Sequence, residues 1–292
     1  MLKFIVIGIF QGATYGLLAV GLVLVYKGTR AFNFAQGEFG SVAAFVTWAL
    51  FRNAGLPYAV AALAGLAAAV LLGLIVERVV IRPLMNAPRI TVLVATLGVA
   101  LFVISGTILA GRAVPRTMRP ALTGDPLLIL GAGISQQLVL LMVVLLCLAP
   151  LLAWFFSKTN TGLAVLATSQ DSFGSRIVGI SVPGMSRFIW AGAALLGGIA
   201  GILQAPVKGI FYPGFMTLET LIPAFAAAVL GGMDSLSGAF IAGELVGIVQ
   251  SLGTYFLKTK AGIPGAEDLT VFVLLLVVLL ARPRGLLGRE VA

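Results

Sequence analysis

The chain of 292 residues has no histidine, one cysteine and very few charges. The missing histidine excludes a His-based metal site, proton relay or catalytic triad. The lone Cys147 excludes an intrachain disulfide and leaves the redox compartment unreported. Charged residues make up 10% of the chain, whereas soluble domains carry about a quarter. No stretch is polar and long enough to be a separate soluble domain. No Gly-Lys-Ser/Thr phosphate loop occurs: Gly231-Gly232 is followed by Met233 and Asp234. ATP hydrolysis is therefore not expected of this chain, and no catalytic, metal or cofactor site is expected either.

What remains is apolar sequence, 60% of the residues. Runs of about 20 apolar residues are long enough to cross the hydrocarbon core as helices. Spans are predicted at 4–26, 36–51, 57–76, 90–110, 136–156, 187–206, 218–232, 237–257 and 269–281. The second, seventh and ninth are short, which suits tilted, broken or re-entrant segments. The fold class is all-α: a polytopic integral membrane protein with about eight or nine transmembrane helices in a single domain, 1–292. The first run lacks a small-x-small cleavage site and holds Gln11, Thr14 and Tyr15, so it reads as an uncleaved span.

The formal charge of +9 would suggest nucleic acid in a soluble protein. Here the bases lie in short segments between apolar runs, the pattern that orients membrane helices, so the partner is the lipid bilayer and no nucleic acid. With the N-terminus outside, the inner segments hold eleven bases, among them Lys27, Arg30, Lys158, Arg176 and Arg284. The outer ones hold eight: Lys3, Arg52, Arg112, Arg116, Arg119, Lys208, Lys258 and Lys260. This bias predicts the N-terminus outside, with 77–89, 157–186 and 282–292 inside.

Small residues recur four apart at Gly8/Gly12/Gly16, Gly65/Ala69/Gly73, Ala193/Gly197/Gly201 and Ala239/Gly243/Gly247. Such rows let helix backbones approach closely. Packing within the chain and a subunit interface both fit them.

Polar residues inside the spans are few. Gln11, Thr14 and Tyr15 share one helix face. That face is expected to point into the bundle, beside Asn33 or Gln36. Glu244 is the acid deepest in a span. An intramembrane carboxylate is a functional candidate, with a structural hydrogen bond as its rival.

Four segments carry a resemblance. Ala228–Ala239 reads AVLGGMDSLSGA; Asn33–Glu38 reads NFAQGE; 161–180 has mixed polarity; and Ala281–Gly288 reads ARPRGLLG. In that order they resemble branched-chain amino acid ABC transporter permeases of the LivH type. Asp234 and Ser237 depart from the family's AVLGGMGSLPGA. Gln36 stands where many relatives have histidine, and Gln250 where they often have glutamate. Leu163 and Leu166 replace frequent arginines.

The resemblance implies a permease subunit of an ABC importer for leucine, isoleucine and valine, in the bacterial cytoplasmic membrane. A second LivM-like permease, two ATPase subunits and an outer solute-binding protein would complete it. The family's coupling segment falls within 157–186, as a short amphipathic helix ended by Gly179. Ala167, Gln170, Asp171, Arg176, Gly179 and Ile180 match it. Gln11, Thr14, Tyr15, Asn33, Gln36, Glu38 and Glu244 are the candidates for the translocation pathway. A urea or short-amide ABC permease is the alternative, and an ion-coupled secondary transporter is the rival from another class.

Overall fold

The computed structural model describes residues 1–85, 87–111, 114–281 and 285. The chain begins with α1 (Leu2–Thr29) and α2 (Gln36–Arg52). Next come α3 (Tyr58–Val76), prolonged by a π-helical turn over Glu77–Ile81, and α4 (Arg89–Gly111). The following connection contains a hairpin of β1 (Leu127–Ile129) and β2 (Ala132–Ile134). Then follow α5 (Gln136–Lys158), α6 (Asn160–Gln170), α7 (Ser172–Ile177) and α8 (Val182–Lys208). The last part holds α9 (Phe215–Glu219), α10 (Leu221–Gly231), α11 (Leu236–Gly253), its π-helical extension Thr254–Lys260, and α12 (Ala266–Ala281).

Among the described residues, six helical segments are long and apolar enough to cross a membrane: α1, α3 with its extension, α4, α5, α8 and α11 with its extension. Around them stand the shorter α2, α10 and α12. The architecture is the expected polytopic helical one, apart from the small hairpin. Its turn residues Leu130 and Gly131 have φ of 50° and 79°, the geometry of a two-residue hairpin turn, and the register pairs Leu127 with Ile134. The sequence signal was one Leu-Gly pair, too weak to read.

The bundle is built around α1 and α8, whose membrane windows are each 72% buried, against 11% for α5. The small-residue rows explain how the bundle closes. A Cβ on Gly8 would lie 2.7 Å from the Gly247 carbonyl oxygen, and one on Gly243 would lie 2.4 Å from the Gly16 Cα. The first row therefore packs on the fourth, α1 against α11. Gly201 meets Gly40, and Gly73 meets Trp190 and Ala194, joining α8 to α2 and α3. The packing is within the chain.

Two of the short spans are irregular for identifiable reasons. The seventh is broken at Thr220 into α9 and α10. Pro223 has no N–H, and its ring would clash with the carbonyl of residue 219 in a continuous helix. The second starts deep in the bundle. A Cβ at Gly21, midway down α1, would touch the Gln36 side chain. The two irregular spans meet each other: Gly37 packs on Thr217, and Gly40 lies 3.3 Å, by the same Cβ test, from Met216. Irregular backbone at membrane depth is thus covered by protein. Of the residues singled out in the sequence, Arg112, Arg282 and Arg284, and most of the Ala281–Gly288 motif, lie outside the described residues.

Candidate translocation and coupling sites

Thr14 and Tyr15 of α1 point into the bundle. Thr14 donates to the Gln204 side-chain oxygen of α8 at 2.9 Å. Tyr15 donates to the Gln250 side-chain oxygen of α11. The sequence reading expected Asn33 or Gln36 beside this face; the partners are Gln204 and Gln250 instead, and Gln36 lies against Gly21, further along α1. The polar face is thus shared between α8 and α11. The neutral amide of Gln250, where relatives often carry glutamate, accepts the phenol proton without burying a charge. Gln11, on the same face, is partly exposed. Gln137 is a further buried polar residue, accepting from the Ala121 N–H at 2.9 Å and donating to the Leu203 carbonyl at 3.1 Å. It was visible in the sequence as an amide in an apolar run.

Asn33 and Gln36 build the deep start of α2. The Asn33 amide donates to the Gln36 oxygen at 3.1 Å, and its own oxygen accepts the Ala35 N–H. Gln36 then donates to the Ala193 carbonyl of α8 at 2.8 Å. The Asn33 oxygen thus meets the N–H of Ala35 just before α2, and the Gln36 amide ties that start to α8. An amide at position 36 serves this as a neutral donor and acceptor at once.

Glu38 is fully buried one turn on, and neither carboxyl oxygen has a hydrogen-bond partner. The Ser41 and Thr217 hydroxyls approach it without completing a bond of good geometry. Thr217 belongs to the broken seventh span, so Glu38 lies at the joint of the two irregular segments. The Glu244 carboxyl oxygens are likewise enclosed and unpartnered, while the residue as a whole is partly exposed on α11.

At the far end of α8, Glu219 pairs with Lys208 at 2.6 Å and accepts from the Tyr212 hydroxyl. Burial, then the neighbouring Glu219 carboxylate, push the Tyr212 phenol up to about 12, so it remains a donor at neutral pH. This clamp ties α8 to α9 across the intervening loop.

The coupling segment differs from the single amphipathic helix expected. It is two helices, α6 and α7, meeting at Asp171. The Asp171 carboxylate caps α7, accepting the Phe173 and Gly174 N–H groups at 2.9 Å each. The capping geometry breaks the helix one residue after Gln170. Beyond α7, Gly179 adopts φ 84°, the left-handed turn that favours glycine. Ala167, Gln170 and Arg176 are exposed and Ile180 is partly exposed. Around them Phe173, Ile177 and Val178 are each more than 70% exposed. Three large apolar side chains on so short a segment form a knob that nothing among the described residues covers.

Beside it, at the same end of the bundle, Arg30 pairs with Asp234 at 2.8 Å, and Lys27 donates to the Asp234 carbonyl at 3.1 Å. The turn Gly232–Ser235 is thereby tied to the foot of α1.

Residues 4–281 match the family model described as "Branched-chain amino acid transport system / permease component". The high-affinity branched-chain amino acid transport system permease protein BraD of Pseudomonas aeruginosa is 32% identical over 99% of this chain and 96% of its own length. The permease protein LivH of Escherichia coli K12 is 29% identical, covering 97% of this chain and 94% of its own. Among solved structures, PsaBC from Streptococcus pneumoniae, in complex with Fab, gives a TM-score of 0.53 at 18% identity. It covers 96% of this chain and 92% of that one. That likeness concerns the fold alone.

Proposed function

The chain belongs to the family of branched-chain amino acid transport system permease components, and we propose from that premise how it works. It is a multi-pass permease subunit of an ABC importer in the bacterial cytoplasmic membrane, and its solutes are leucine, isoleucine and valine. ATP is hydrolysed by two separate ATPase subunits. A second, LivM-like permease forms the other half of the pathway, and a binding protein outside delivers the solute. The single domain 1–292 provides both the membrane bundle and the coupling segment 157–186.

The observation that carries this reading is the family match together with the bare knob on α7. Coupling needs a rigid projection that seats in a groove of the ATPase. Asp171 and Gly179 fix the two ends of α7, and Phe173, Ile177 and Arg176 stand out from it. Within the membrane, Gln11 is partly exposed and is proposed to face the solute path, with Glu244, whose carboxyl oxygens are enclosed, standing in its wall. Thr14, Tyr15, Asn33, Gln36 and Glu38 hold its wall from inside.

Uptake of labelled leucine, measured in cells with and without the partner ATPases, tests the reading. Uptake is expected only when the ATPases, the second permease and the binding protein are all present. Leucine uptake that follows an ion gradient without any ATPase would overturn it in favour of the ion-coupled class.

A further inference from the structure

Two of the segments that carry the family resemblance meet in space, and the transport reading leaves their contact unused. Gly285, from the Ala281–Gly288 segment, is buried and has φ of 81°. A Cβ on it would lie 2.6 Å from the Val229 carbonyl oxygen, 2.7 Å from the Gly232 nitrogen and 2.8 Å from the Gly232 Cα. All three are backbone atoms at the inner end of α10, so no side chain can swing aside to make room. Glycine alone meets both that φ and that approach without strain.

The turn that receives Gly285 is itself stiff. A Cβ on Gly231 would lie 2.2 Å from the Gly238 carbonyl carbon, and the Ser235 hydroxyl accepts the Gly238 N–H at 3.0 Å. Arg30 and Lys27 bind the turn to α1. Gly285 pins it from the chain that leaves α12, a helix packed on both α10 and α11. From this turn α10 runs only 11 residues, starting at the break beside Thr220. It is a half-helix with a rigid inner end and a broken far end. Element-terminal residues of that kind absorb the backbone change of a hinge. The coupling segment works on the same assembly, since α6 packs on α1 and α8.

We propose that Gly285 is a positioning residue for coupling. It locks the inner end of α10 to α12. A displacement of the coupling segment, passed through α1 to the turn, then swings α10 about the break at Thr220. Without the lock the turn yields locally and α10 stays where it was. The proposal rests on the coupling reading of 157–186, and its test separates the two.

The assembled transporter is placed in vesicles, and leucine uptake and ATP hydrolysis are measured together. Gly285→Ala is expected to keep solute-stimulated ATP hydrolysis near the wild-type rate. Leucine moved per ATP is expected to fall by at least about fivefold, the low end for coupling between two sites. Gly265→Ala is the control: Gly265 has φ of 68° and nothing within 4 Å of a Cβ, so it carries the backbone strain without the clash. It is expected to keep the wild-type ratio. A chain stopped after residue 284 removes the contact without adding an atom, and is expected to lose the ratio as Gly285→Ala does. An unchanged ratio in Gly285→Ala or in the shortened chain would overturn the proposal, as would an equal loss in Gly265→Ala. So would a parallel fall of ATP hydrolysis and uptake, because the contact would then only hold the fold. Failure of the coupling reading looks different: Asp171→Lys, Gly179→Pro would leave ATP hydrolysis at the wild-type level.

Discussion

Arg30 and Asp234 form an ion pair at 2.8 Å between the foot of α1 and the turn joining α10 to α11. Asp234 is one of two residues in this turn that depart from the glycine and proline of the LivH-type pattern. The departure thus has a partner in this chain. Both side chains are about two-fifths exposed, at 40% and 38%, so the pair is screened by water. Asp234→Gly is expected to lower stability by no more than about 1 kcal/mol. The Lys27 bond to the Asp234 backbone carbonyl would survive the change. Thermal unfolding of the purified protein, with leucine uptake retained, checks this. A collapse of expression would show that the pair holds the turn by itself.

The packing of α1 on α11 yields a sharper contrast. A Cβ at Gly247 would lie 2.3 Å from the Gly8 carbonyl oxygen, and the obstacle is backbone that cannot turn aside. Gly247→Val is expected to destabilise by about 3 kcal/mol or more, the upper end for overpacking. Gly98 and Gly106 on α4 have nothing within 4 Å of a Cβ. Gly98→Ala is expected to be neutral or to gain up to about 1 kcal/mol from helix propensity. Size-exclusion profiles of fluorescently tagged variants separate the two outcomes. Equal behaviour of both variants would contradict the packing described.

For coupling, the double change Asp171→Lys, Gly179→Pro removes the cap of α7 and places proline where φ is 84°. Proline holds φ near −65°, so the knob must be displaced. Solute-stimulated ATP hydrolysis by the assembled transporter is expected to fall to background, with the chain still folded in the membrane. Asp171→Asn keeps a capping oxygen and is expected to retain most of the activity. Full coupling in the double variant would remove this segment from the mechanism.

Topology is checked with single cysteines after Cys147→Ser, since Cys147 is itself exposed. Ser157→Cys, at the end of α5 next to the coupling segment, is expected to react only from the cytoplasmic side. Ala261→Cys, beyond the extension of α11, is expected to react only from outside. The reverse pattern would invert the orientation read from the lysines and arginines.

Much of this molecule was legible in the sequence. Hydropathy marks where helices lie because lipid forbids unpaired backbone, so span positions follow from composition. The four small-residue rows were also visible, since a row is a property of one helix.

Partnership was decided only by the tertiary structure. Period four shows that Gly8, Gly12 and Gly16 form a groove, and nothing local says that it receives Gly243 and Gly247. Likewise Thr14 and Tyr15 announce a polar face, but Gln204 and Gln250 lie 190 and 235 positions away. Asp171 could equally have sat within one helix, and its capping geometry made two. The Glu38 joint arises because α2 starts at mid-depth and α9 ends there. Local sequence fixes what a segment needs, and only the assembled bundle determines which distant segment supplies it.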